Sequence, residues 1–200
     1  MPGPAAAATV VTCRGTGSTM TTMTTQPLDL GGYTVDDLET IEDDGLHYEL
    51  EDGCLVVSPS EVLRNRSAAF QLGLLLQPAL LPDWLVVPSP GLLFSRRDYR
   101  EPDLVVVRRG ALAKQMADPG DVLLILEVMS PSSVRRDRLV KPAQYAEAGV
   151  PHFWRLEPAE PVLVTYALDG ATYRETGRFT RSVEVDEPVR LRFELATLLD

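Results

Sequence analysis

No apolar run in these 200 residues approaches the roughly 18 to 20 that a membrane span requires. The first residues hold one arginine and no apolar centre of the signal-peptide kind, so the chain is expected in the cytoplasm. Cysteine is nearly absent. Cys13 and Cys54 make neither a disulfide framework nor a metal-ligand pair at recognisable spacing, and both are expected as reduced bystanders. Histidine is equally scarce, and no Ser-His-Asp order, phosphate-binding glycine loop or dinucleotide fingerprint occurs. Lysine is the most telling shortage. Seventeen of the nineteen bases are arginine, so Lys114 and Lys141 stand where a compact ammonium replaces the default guanidinium.

What is present suits one globular domain with a real core: 44% of the residues are apolar. The net charge of −10 argues against a large non-specific nucleic-acid surface, but its distribution is uneven. Residues 1–63 hold one base and eleven acids, residues 64–141 twelve bases and eight acids, and the remainder six bases and ten acids. Only the middle third is positive.

Residues 1–28, rich in Ala, Thr and Gly without a periodic apolar pattern, read as a disordered leader, leaving 29–200 as the domain. Thr34 caps a short acidic helix. Asp52-Gly53 between His47–Leu50 and Cys54–Ser58 signals a hairpin. Ala68, Ala69, Leu72, Leu75, Leu76 and Ala79 fall at helical spacing, and Pro78 and Pro82 end that helix. Trp84 to Val87 and Leu92 to Phe94 are strand candidates. Asp103 to Val107 and Val122 to Leu126 are continuous apolar runs, the pattern of strands buried on both faces. Ser130-Pro131-Ser132-Ser133 then stops the second run and offers hydroxyl caps to a helix opening with Arg135, Arg136 and Arg138, with Lys141 at its far side; Gly149 closes the helical stretch. Pro151 to Leu156, Val162 to Leu168 and Ala171 to Glu175 continue as strands, and the tail reads as edge strands. The overall class is α/β.

The chemistry gathers around two carboxylates. Asp103 begins one buried strand and Glu127 ends the next. If the two strands are neighbours, both acids converge on one rim of the sheet, where hard oxygen ligands completed by water and phosphate suit Mg²⁺ or Mn²⁺. Glu49 in the hairpin offers a third oxygen. A buried acid is also often paired with an arginine, and Lys141 could be a surface ion pair with Asp137 at i,i+4. Lys114 lies in a polar loop. His47 is expected exposed in the hairpin, and His152 as a hydrogen-bonded structural residue of a core strand.

Tyr48-Glu49-Leu50, Asp52-Gly53, Ser58-Pro59-Ser60, Pro102-Asp103-Leu104-Val105-Val106, Leu126-Glu127-Val128, Ser130-Pro131-Ser132, Asp137, Lys141, Tyr145, Ala148-Gly149-Val150-Pro151 and Trp154 follow one another in an order and spacing that resembles the Uma-two family of endonucleases. That family lies within the PD-(D/E)xK restriction-endonuclease-like superfamily. The resemblance runs from about residue 30 to 175. It implies a restriction-endonuclease-like mixed central sheet flanked by helices, with Asp103 and Glu127 as the acidic metal ligands. The usual lysine would stand two residues after Glu127, where this chain has Met129; Lys141 on the following helix is the implied counterpart.

On this reading the chain is a divalent-metal-dependent endonuclease acting on nucleic acid, DNA first, with no membrane partner and with a homodimer left open. Asp103, Glu127, Glu49 and Lys141 form the site, Arg135, Arg136 and Arg138 contact backbone phosphates, and Arg96, Arg97 or Arg100 add to them. Two other classes stay in view. One is a nuclease fold that has lost its chemistry and only binds; the other is an interaction subunit whose acidic 29–61 region covers a basic partner or its own basic groove.

Overall fold

The computed structural model describes residues 9–13, 32–130 and 136–199. In chain order the elements are strand β1 (Val10–Cys13), helix α1 (Val35–Leu38), strands β2 (Leu46–Glu51) and β3 (Cys54–Pro59), and helix α2 (Leu63–Leu76). Strands β4 (Trp84–Pro88), β5 (Leu92–Ser95), β6 (Asp98–Arg100), β7 (Leu104–Arg108) and β8 (Val122–Val128) come next. Helix α3 (Lys141–Glu147) is followed by β9 (His152–Glu157), β10 (Val162–Asp169), β11 (Thr172–Phe179), β12 (Ser182–Val185) and β13 (Leu191–Glu194). The chain divides into two compact units, the described residues of 1–60 with 93–101 and those of 61–92 with 102–200.

The first unit is a five-stranded sheet in the order β1-β3-β2-β6-β5. Its hairpin forms where the Asp-Gly pair predicts it: Asp52 and Gly53 both take positive φ, 48° and 73°, the requirement of the two-residue turn that matches strand twist. At α1, the Thr34 backbone N–H donates to Asp37 Oδ2 at 2.8 Å. Two expectations fail here. Residues 10–13, placed by sequence in a disordered leader, form an edge strand antiparallel to β3. Cys13 and Cys54, expected reduced, sit directly opposite in that register with Cα atoms 4.3 Å apart and are joined as a disulfide. The reason is tertiary, because only strand pairing brings together thiols 41 residues apart. The rest of the supposed leader, residues 1–8 and 14–28, lies outside the described residues.

The second unit carries a six-stranded sheet, β11-β10-β9-β8-β7-β4, in which β8 and β9 alone run parallel. A parallel step needs a crossover, and α3 lies within the one that joins β8 to β9. Alternation along the strands sends successive side chains to opposite faces. Leu104, Val106, Leu124, Leu126, Trp154 and Leu156 pack with Ala68, Ala69, Leu72 and Leu76 of α2 in one apolar core. Gly73 lets this helix come close: a Cβ there would meet Leu104 Cδ1 at 2.9 Å and Val86 Cγ1 at 3.1 Å. The intervening residues, among them Ile125, Glu127, Phe153 and Arg155, belong to the other face, which α3 covers through Lys141 and Tyr145. Burial on both faces is why β7 and β8 read as unbroken apolar runs.

The described part of the helix after β8 is arranged differently from its sequence expectation. Residues 131–135, with Pro131, Ser132 and Ser133 of the expected cap, lie outside the described residues, and Arg136–Val140 form a π turn. Lys141 therefore opens α3 instead of standing at its far side, and Pro142 occupies the first turn, where a missing N–H costs nothing. Gly149, at φ 79°, ends the helical stretch as predicted.

Candidate active site

Leu104 pairs with Leu126 in the antiparallel ladder between β7 and β8. Asp103, one residue before β7, and Glu127, one residue after Leu126, therefore stand at neighbouring positions along adjacent strands. Asp103 is held at both ends: its carbonyl accepts the Ser89 N–H at 3.1 Å, and its Oδ2 accepts the Val128 N–H at 2.5 Å. Glu127 is only 3% exposed. Its Oε1 accepts the Lys141 ammonium at 3.0 Å and the Tyr145 hydroxyl at 2.6 Å. One turn of α3 separates these two donors, so a single helix face delivers both to one carboxylate oxygen. Lys141 is itself 8% exposed, and its partner is this acid of the adjacent strand.

Burial pushes the Asp103 carboxyl well above the usual carboxylate range, and the neighbouring Glu61 carboxylate pushes it further. The Val128 N–H and the Lys141 ammonium pull the other way without cancelling the rise. A buried Asp103 carboxyl with a second carboxylate beside it is an arrangement that a cation would relieve. Glu61, just before α2, escaped the sequence reading because it looks like an acid opening a helix; only the fold brings it to Asp103. Among the described residues, no cluster of three or more His, Cys, Asp or Glu forms a ready-made metal cage. The donor set is then a pair of carboxylates with Glu61 beside it, which suits a Mg²⁺-type ion that keeps several waters.

Other expected residues are placed as follows. Glu49 belongs to the first unit, on β2, where its Oε1 accepts the Glu101 N–H at 3.2 Å. Arg135 lies outside the described residues, as do the side chains of Arg136 and Asp137. Arg138 is half exposed and donates to Glu157 Oε2 at 2.5 Å. Arg96 pairs with Asp36, and Arg97 donates to the Asp52 carbonyl at 3.0 Å. Arg100 cannot contact a phosphate: it is 1% exposed, with its guanidinium given to the Leu50 and Tyr99 carbonyls. His47, expected exposed, is half-buried against Glu101, with Nδ1 3.0 Å from Oε2. Lys114 pairs on the surface with Asp118 and Asp121. Met129, at the position of the usual lysine, is buried, and its carbonyl lies 3.4 Å from Asn65 Nδ2 of α2.

This geometry meets an independent finding, since the Uma2 family, described as “Putative restriction endonuclease”, matches residues 35–198. The chain belongs to the Uma2 family. Its fold is similar to a crystal structure described as a “putative nuclease belonging to DUF820 from Anabaena variabilis ATCC 29413”, with a TM-score of 0.64 at 15% identity over 83% of this chain and 97% of that one. At that identity the likeness speaks for the fold alone, and it bears out the restriction-endonuclease-like sheet. No curated protein matches the chain. Within this Uma2 chain, Lys141 contacts Glu127 directly and its charge acts on the Asp103 carboxyl. No helix among the described residues is long and apolar enough to cross a membrane.

Proposed function

We propose that this chain is a metal-dependent endonuclease hydrolysing nucleic-acid phosphodiester bonds, DNA first, with Asp103 and Glu127 holding Mg²⁺ or Mn²⁺. The observation that carries the reading is the Lys141 to Glu127 contact beside an Asp103 whose buried carboxyl is crowded by Glu61. Glu61 adds a carboxylate beside Asp103, and Glu49 stays a proposed further oxygen ligand. A divalent ion bound there supplies charge against the phosphate oxygens and lowers the pKa of a water. Tyr145 fixes the rotamer of Glu127 by donating to Oε1, so the carboxylate is oriented before substrate arrives. Lys141 holds a proton at Nζ and, from a rigid first helical turn, presents it where negative charge grows on the phosphate. Apolar neighbours on both sides of β8 exclude bulk water and strengthen each of these contacts. A homodimer would provide two such sites, and gel filtration with substrate reads that directly.

The test is cleavage of a mixed single- and double-stranded DNA substrate by the purified chain with Mg²⁺ or Mn²⁺. Lys141→Gln keeps a hydrogen-bond donor for Glu127 yet lacks the charge, and should lower the rate roughly 100-fold or more while the protein stays folded. Lys141→Arg should rescue poorly, because a longer forked guanidinium cannot reproduce the contact. A wild-type chain that cleaves nothing with any divalent ion sinks the nuclease reading in favour of a silent binding module.

A further inference from the structure

On the same sheet face as Glu127, two strands further out, lies a cleft of ≈ 260 Å³ that the proposed chemistry does not use. Its floor is aromatic. Phe153 stacks on Tyr166 at 5.6 Å between centroids and on Tyr173 at 5.7 Å, at interplanar angles of 25° and 29°. Phe153 is buried, whereas Tyr166 and Tyr173 are only half-buried and turn part of their surface to the cleft. The wall is basic. Arg155, 8% exposed, sets its guanidinium 5.6 Å from the Tyr166 centroid, and Arg138 stands half exposed at the rim. A single carboxylate, Glu157, serves both arginines, so the three groups carry a net positive charge. Pro142 and Ala146 of α3 line the cleft one position along from Lys141 and Tyr145.

The cleft and the site share a frame. Glu127 is the ladder partner of Arg155, and Phe153 that of Tyr166, so the side chains belong to one face. Two strand spacings across and two residues along separate Glu127 from Tyr166, roughly 12 Å. The Tyr145 ring, which holds Glu127, also meets Phe153 at 5.9 Å.

We propose that this cleft receives one unpaired nucleobase of the substrate strand, stacked against Tyr166 and Tyr173, with Arg138 on the adjoining phosphate. This assignment rests on nucleic acid being the substrate, and it names the substrate class as single-stranded or locally unpaired. Three features carry it. Partly exposed aromatic faces next to guanidinium groups are the chemistry that binds bases irrespective of sequence. The volume lies below the roughly 300–1,000 Å³ of drug-sized pockets and matches a single base. A base inside a duplex has both faces covered by its neighbours and cannot enter without leaving the stack.

The experiment is fluorescence anisotropy with the full chain in EDTA, which separates binding from cleavage. The probes are labelled mixed-sequence strands of about 12 nucleotides, DNA and RNA, and the corresponding DNA duplex. At least one single strand should bind roughly tenfold tighter than the duplex, and Tyr173→Leu should erase that margin while Tyr173→Phe keeps it. Thermal melting of both variants confirms the fold. Equal affinity for single strand and duplex, absence of binding to every probe, or unchanged affinity in a folded Tyr173→Leu overturns the base pocket. If the pocket results hold but no divalent metal supports cleavage, the pocket stands and the nuclease reading falls.

Discussion

Asp103 shows what a single residue can report about a site. An acid whose folded-state pKa is raised contributes stability that is fully present below its unfolded value and is lost as pH rises through the folded one. Ionising Asp103 without metal therefore costs stability, because its charge is buried beside the Glu61 carboxylate. Asp103→Asn keeps an oxygen for the Val128 N–H and sheds the charge, so its melting temperature in EDTA should exceed that of wild type. Mg²⁺ or Mn²⁺ should raise the wild-type melting temperature in proportion to concentration and leave Asp103→Asn unmoved. Equal shifts in both proteins would remove the metal from Asp103. His152 behaves in the opposite sense. Burial lowers its imidazole below the usual value, partly offset by Glu187, so it favours the fold above the unfolded pKa and ceases to as pH falls through the lowered one. Melting temperature should decline from pH 7.5 to 5, and His152→Gln should flatten that decline; parallel curves would show that the imidazole is not the source.

At the scale of elements, β1 is held by a ladder and a covalent link to β3. Closing a segment of 41 residues limits the unfolded chain by an amount on the order of 4 kcal/mol in the chain-entropy account. Cys13→Ser should lower the melting temperature by several degrees without reductant, and a chain begun near Gln26 should lose as much. Differential scanning fluorimetry with and without a thiol reductant checks both, and indifference to reductant would mean that the link adds nothing. Helix α3 works differently. It brings Lys141 and Tyr145 to Glu127 from one face while its neighbouring positions line the aromatic cleft, so a shift of this one helix would disturb both.

For the whole molecule, charge sets how it meets a polyanion. A net charge of −10 leaves only local positive patches for binding, so few phosphates should be neutralised. The logarithm of affinity for single-stranded DNA should fall with the logarithm of salt with a slope near −2, the value for about three contacts. Arg138→Ala should reduce that slope by about 0.7, a single phosphate. A slope near −7, as for ten contacts, would contradict this picture of a mainly acidic protein with one small basic region.

Much of this protein is legible in the chain because local rules govern it. Asp52-Gly53 requires positive φ at adjacent positions and makes the hairpin; the unbroken apolar runs of β7 and β8 require two covered faces; and the order of the motif acids identifies the family before any coordinate does. Lys141 stands out because a chain that prefers arginine elsewhere keeps a lysine there. What the sequence leaves open depends on pairing across distance. Ladder register decides that Asp103 and Glu127 come to neighbouring positions on adjacent strands, that Cys13 meets Cys54, and that Phe153, Arg155, Tyr166 and Tyr173 share one face. Hydrophobic period and turn chemistry are properties of neighbours along the chain, whereas register is a property of strands meeting in space, and a shift of one residue would carry each of these side chains to the other face.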